Sequence, residues 1–213
     1  VGLFLTGLSD AERKECYRLL LDVREQHNFS IPFVHAVSRM EDAEYTFLRY
    51  EFGTRWFNLH SQRAFPLEYP LSEETKRYIT IENANFSESL TRQDLEGFAG
   101  LCIDLSHLEE ARLIKPAAYN DLMRLCSEIR VCANHISAIV DTFESGETHQ
   151  PQCSSHYLGS EREVQYLNSM PHHVVGEVAA LELENPLHEQ LQLLRDVTRA
   201  LASAHCLPRS AAA

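Results

Sequence analysis

Seven short apolar runs, separated by stretches with helical spacing or turn residues, constrain this chain more than any other feature. They cover residues 1–6 (VGLFLT), 31–37 (IPFVHAV), 56–61 (WFNLHS), 78–83 (YITIEN), 101–105 (LCIDL), 131–136 (VCANHI) and 178–183 (VAALEL). Each is strand-sized, and nearly all are apolar throughout, as strands covered on both faces are. Between them the period changes. Ser9 with Glu12 three residues on has capping-box spacing, and Cys16, Leu19, Leu20 and Val23 follow at helical intervals. Residues 42–50, 73–76, 119–129 and 161–169 can also be helical, and Leu187, Leu191, Leu194, Val197 and Leu201 mark a last amphipathic helix. Residues 142–155, polar with Gly and Pro, read as a long loop.

Strands alternating with helices over a whole chain mean parallel pairing through helical crossovers. The expected fold is therefore α/β, a parallel (β/α)8 TIM barrel forming a single domain over residues 1–213, with 206–213 a disordered tail. Seven units are visible where a closed barrel has eight. Because residue 1 already lies in an apolar run, the first β/α unit is expected upstream. An open doubly wound sheet would instead want a Gly-rich phosphate turn after its first strand, and TGLSD is not one.

The bulk properties narrow the function classes. A chain of 213 residues can bury a sizeable core as one domain. Its composition, 44% hydrophobic and 23% charged, is that of a globular protein. No run approaches the ~18 apolar residues of a membrane span, and no signal peptide is evident. The six cysteines are scattered without a CxxC pair, which fits a reducing cytoplasm and argues against a thiolate zinc site. With 31 acidic against 19 basic side chains, the net charge of −12 argues against nucleic acid as a partner.

Chemistry in a parallel barrel sits where the strands end. His35 lies near the end of the second run, His60 at the end of the third, and Glu82 with Asn83 at the end of the fourth. Asp104 ends the fifth with His107 three residues on, His135 lies in the sixth, and Glu182 and Glu184 end the seventh. His156 falls in the long loop before the last run. A lone histidine in a strand is usually a satisfied core residue, and Glu82 or Asp104 alone could be a turn or helix cap. Six successive strand ends carrying His or carboxylate point to a metal centre, and imidazole with carboxylate suits zinc, manganese, cobalt or iron.

The order and spacing of IENA, CIDLSH, ANHIS and ALELENP resemble the superfamily of xylose-isomerase-like barrels, which includes sugar epimerases and the endonuclease IV family. The resemblance covers about His35 to Pro186. It implies one divalent metal (manganese, zinc, cobalt, iron or magnesium) held by Glu82, Asp104, His135 and Glu182, with Glu82 and Glu182 doubling as acid and base. It implies substrate contacts from His107, and His60, His156 and Asn83 are candidates for the same role. Glu182 is preferred to Glu184 because the family's glutamate stands a few residues before a Pro-containing turn. The implied activity is that of a sugar isomerase or epimerase of carbohydrate metabolism, with a small sugar as substrate and a homo-oligomer left open. In the endonuclease IV branch His35, His60 and His107 are additional ligands. That branch has an Asp-x-His motif where this chain reads Ser154-Ser155-His156, which puts a third metal in doubt. Many members also carry Asp where this chain has Ala138. A multi-metal phosphoesterase or abasic-site endonuclease is the alternative activity, and a barrel that has lost catalysis is a third reading.

Overall fold

The computed structural model describes residues 2–83, 90–144 and 151–206, of which 144 and 202–206 by their backbone alone. Residue 1, part of the expected loop at 145–150 and the expected tail beyond 206 lie outside the described residues. The strands are β1 (Gly2–Phe4), β2 (Phe33–His35), β3 (Trp56–Leu59), β4 (Ile79–Glu82), β5 (Gly100–Asp104), β6 (Val131–Ile136), β7 (Ala138–Glu144), β8 (Pro151–Ser155) and β9 (Val178–Leu181). Seven of them pair in the order β1-β2-β3-β4-β5-β6-β9, every neighbour parallel. The result is a nearly closed barrel flanked by helices, TIM-like but short of one β/α unit. At the two ends of that order β1 comes up against β9, and a Cβ placed on Gly2 would lie 3.1 Å from the Ala180 Cβ.

The helices are α1 (Asp10–Gln26), α2 (Asp42–Phe52), α3 (Glu73–Lys76), α4 (Leu105–Ile114), α5 (Pro116–Glu128) and α6 (Leu187–Cys206). The capping box at α1 is formed, with Glu12 N donating to Ser9 Oγ at 3.4 Å and Ser9 N donating to Glu12 Oε2 at 2.7 Å. α2 stops at Gly53, whose φ of 68° is the left-handed value that ends helices.

Two stretches differ from the sequence expectation. Where one helix was expected after β5 there are two, because Pro116 cannot continue α4 and instead opens α5. The expected loop at 142–155 belongs largely to an antiparallel hairpin, β7 with β8, that starts at Ala138 paired with Ser155. The segment PQCSS has little strand propensity, but its backbone is held from outside by a carboxylate described below. Residues Glu161–Ser169 are helical as expected, though wound as 3-10 turns.

Alternation along the strands divides the side chains into two cores. Val34, Phe57, Ile79, Ile81, Leu101 and Ile103 pack outward in one cluster with Tyr45, Leu48 and Leu108 of the helices. Phe33, Trp56, Cys102, Ala133 and Ala180 pack together in a second cluster that fills the barrel, with Phe4 against it. Full burial of such a side chain contributes about 1.5–3 kcal/mol. The barrel floor is thus apolar, and whatever stands two residues further along each strand faces the mouth.

Candidate metal centre

Two residues after each floor residue comes a polar one. His35 follows Phe33, Asn58 follows Trp56, Asp104 follows Cys102, His135 follows Ala133 and Glu182 follows Ala180. Glu82 on β4 completes the ring, two beyond the buried Thr80. Ligand atoms of Glu82, Asp104, His135 and Glu182 all lie within 4.8 Å of one another. His35, Glu82 and His135 form a second group of the same kind, sharing two members with the first.

His135 Nδ1 is the hub. It lies 3.0 Å from Glu82 Oε1 and 2.8 Å from Glu182 Oε2. The other oxygen of Glu82 accepts from Asn58 Nδ2 at 2.6 Å and lies 3.2 Å from His35 Nε2 and 3.6 Å from His60 Nε2. The aromatic floor sets the imidazole orientations: the His135 ring stacks on His35 at 5.1 Å and meets Phe33 edge-on at 5.1 Å.

Asp104 does two things at once, one with each oxygen. Oδ1 caps α4, accepting from Ser106 N at 2.8 Å, Ser106 Oγ at 2.6 Å and His107 N at 3.0 Å. Oδ2 has no hydrogen-bond partner among the described residues and lies 3.6 Å from His107 Nε2. The cap and the ligand were alternatives in the sequence; the structure gives Oδ1 to the cap and leaves Oδ2 free of it. Asn83 holds this aspartate from the neighbouring strand. Its side chain donates to Asp104 O at 3.1 Å and accepts from Asp104 N at 2.6 Å, so it extends the β4–β5 ladder by one pair.

The charges are those of a centre short of positive charge. Burial raises the Glu82 carboxyl, but the His135 and His35 rings outweigh this and hold it well below the usual carboxylate range. Burial works against a charged His135, yet Glu82 and Glu182 hold that ring protonated well above the ordinary imidazole range. Burial also pushes the Cys102 thiol up, and the three carboxylates push it further, so no thiolate competes as a ligand. At His60 burial wins over the pull of Glu82 and the imidazole is lowered.

A divalent cation fits this group. Asp104 Oδ2 is buried without a hydrogen-bond partner among the described residues, a costly state for a polar atom unless something else meets it. Three carboxylates and an imidazole are the donor set of a hard or borderline metal.

The remaining sequence candidates fall as follows. Glu182 joins the cluster, while Glu184 is exposed beyond the end of β9. His107, in the first turn of α4, has its Nε2 3.6 Å from Asp104 Oδ2. His156 is exposed on the turn after β8, outside the buried group. Ala138 is buried at the start of β7. Three residues were not found by sequence reasoning. Asn58 was legible in principle, since it stands two before His60 on one strand. Glu110, which meets Ser154 between α4 and β8, carried no local signal, and Ser154 showed only as the place of a missing aspartate.

No protein-family model matches this chain, and a search of curated proteins finds no match either. Among the described residues no helix is long and apolar enough to cross a membrane.

Proposed function

We propose that the protein is a divalent-metal-dependent isomerase or epimerase acting on a sugar or sugar-like substrate. The observation that carries this reading is the convergence of Glu82, Asp104, His135 and Glu182 within 4.8 Å at the ends of four neighbouring strands, β4, β5, β6 and β9. The resemblance to xylose-isomerase-like barrels supports it, because that family's isomerases hold one metal with the same residue types in the same order.

The metal, when bound, would polarise a carbonyl or hydroxyl oxygen and acidify the neighbouring C–H. The protein's part is proton transfer and placement. Glu82 and Glu182 stand on either side of His135 Nδ1, so one carboxylate takes the substrate proton and the other returns it. Asn58 holds the Glu82 carboxylate, while Ser106 and the His107 amide hold that of Asp104. His60 and His107 flank the centre and contact substrate oxygens. The cysteines described with their side chains, Cys16, Cys102, Cys126, Cys132 and Cys153, are free thiols, which supports a reducing compartment such as the cytoplasm.

One observation favours a second reading. The His35–Glu82–His135 group offers a place for another cation, as a multi-metal phosphoesterase would need. Metal analysis decides between them: one equivalent for the isomerase, two or three for the phosphoesterase. The activity test is solvent deuterium incorporation at a carbon next to the carbonyl in a panel of ketoses and aldoses. Exchange should need metal and disappear in Glu82→Gln. Cleavage of abasic-site DNA, or no metal-dependent exchange in the loaded protein, overturns the proposal.

A further inference from the structure

The β7–β8 hairpin is fastened to α4 by one buried carboxylate. Glu110 Oε2 accepts from Cys153 N at 2.8 Å, Ser154 N at 2.9 Å and Ser154 Oγ at 2.9 Å. Lys115 Nζ lies 3.7 Å from the other oxygen. Glu110 is three residues after His107 and shares its helix face. Ser154 Oγ also lies 3.2 Å from His107 Nδ1 and 3.3 Å from Gln152 Nε2.

A hydroxyl has one proton and two acceptor positions. The carboxylate of Glu110 can only accept, so it takes the Ser154 proton. The Nε2 group of Gln152 can only donate, so it fills one acceptor position. The remaining position is filled by a proton from His107 Nδ1. We propose that Glu110 and Ser154 are positioning residues which hold neutral His107 in its Nδ1–H form and turn an Nε2 lone pair toward the centre.

The consequence lies on the other side of the ring. His107 Nε2 is 3.6 Å from Asp104 Oδ2, which has no hydrogen-bond partner among the described residues, so the lone pair opens on the centre itself. A proton-bearing group beside the centre can donate to that lone pair. Resting on the isomerase reading, that group is a substrate hydroxyl, which donates to His107. The same geometry disposes of a nucleophilic role for Ser154: its side chain is 1% exposed and its proton is committed to Glu110.

The test reads the tautomer directly, by nitrogen-15 NMR of histidine-labelled full-length protein at a pH where the ring is neutral. The His107 signal is identified by its loss in His107→Gln. The expected wild-type pattern is a protonated Nδ1 and an unprotonated Nε2. In Ser154→Ala the pattern should swap to Nε2–H, since Asp104 is then the acceptor that remains, and Ser154→Thr should restore it. A wild-type ring protonated at Nε2 or at both nitrogens overturns the proposal, as does Ser154→Ala with no swap. If Ser154→Ala fails to fold, the wild-type and Ser154→Thr spectra still decide. A metal-coordinated Nε2 shift in zinc-loaded protein would replace the hydroxyl by a second cation and overturn that half. None of these readouts needs turnover, so the isomerase reading can fail on its exchange assay while the tautomer stands.

Discussion

Two groups of buried charge in this molecule are finished differently. Between α1 and α2, Glu44 accepts from Arg13 Nε at 3.0 Å, Arg13 Nη2 at 3.0 Å, Tyr17 Oη at 2.8 Å and Glu41 N at 3.0 Å. Arg13 spends its other donors on Asp10 at 2.9 Å and on Arg39 O at 3.1 Å. Charge and hydrogen-bond capacity both close. At the barrel mouth, three carboxylates converge on one imidazole, and Asp104 Oδ2 has no hydrogen-bond partner among the described residues. Both regions hold acidic groups away from water, so burial of charge alone does not mark a site. What separates a strut from a site is whether the protein supplies all the partners. The first group needs nothing further, and the second could hold a cation.

That contrast can be broken most forcefully at Arg13. Arg13→Met leaves Glu44 between two helices without its counter-charge, and losing one partner of such a pair costs about 3–5 kcal/mol. Urea unfolding should show this loss, and a cost below ~1 kcal/mol would mean the network is not the strut described here. Next in size is the response to metal. Manganese or zinc at a hundred times its Kd should stabilise the wild type by about 2.7 kcal/mol, a Tm rise of roughly 5–10 °C for a domain of this size. A chelator should reverse the rise, and Arg13→Met should keep it. No rise with any divalent metal would remove the distinction between the two regions.

Asp94 provides a finished carboxylate of intermediate weight. Burial raises its pKa, but Arg63, Thr91 and Ser61 outweigh that and hold the carboxyl far below its ordinary value. Arg63 Nε donates at 2.6 Å and Thr91 N at 2.8 Å, tying the loop after β3 to the turn before β5. A depressed folded-state pKa contributes stability above the unfolded value of ~4 and loses it as pH falls toward the folded one. Asp94→Asn should therefore cost about 2 kcal/mol at neutral pH, as charge-assisted hydrogen bonds do. The gap from wild type should narrow in acid. A gap independent of pH would show that packing, not charge, holds that loop.

The barrel was legible because its strands obey one rule. Runs apolar on both faces, ending in His or carboxylate, fix both the architecture and the side of the barrel that carries chemistry. Glu182 could be told from Glu184 only through the resemblance, and the structure adds the physical reason: the strand stops at Leu181, so alternation no longer places both on one face. The hairpin was not legible. PQCSS is polar, and it pairs as a strand because Glu110, more than forty residues earlier, takes its amide protons. Asn58 was passed over for a related reason: an amide in a strand declares its role only when its partner Glu82 is placed beside it. Contacts of this range leave no trace in spacing.

The smallest expected effect sharpens the comparison most, and it belongs to Asp104→Asn in metal-free protein. The amide oxygen can keep all three cap bonds at the start of α4, which Oδ1 accepts from Ser106 and His107. The new Nδ2 replaces an oxygen that has no partner among the described residues, and the change removes one of the like charges gathered there. Unfolding free energy should stay within ~1 kcal/mol of wild type or rise above it, since loss of a mismatched buried charge carries little penalty. The metal-dependent Tm rise should vanish in the same variant. Glu44→Gln makes the complementary measurement, because there the lost charge was matched by Arg13 and stability must fall. If Asp104→Asn destabilises the metal-free protein as much as Glu44→Gln does, the barrel mouth is a strut like the other, and its unpartnered oxygen is no sign of a missing cation.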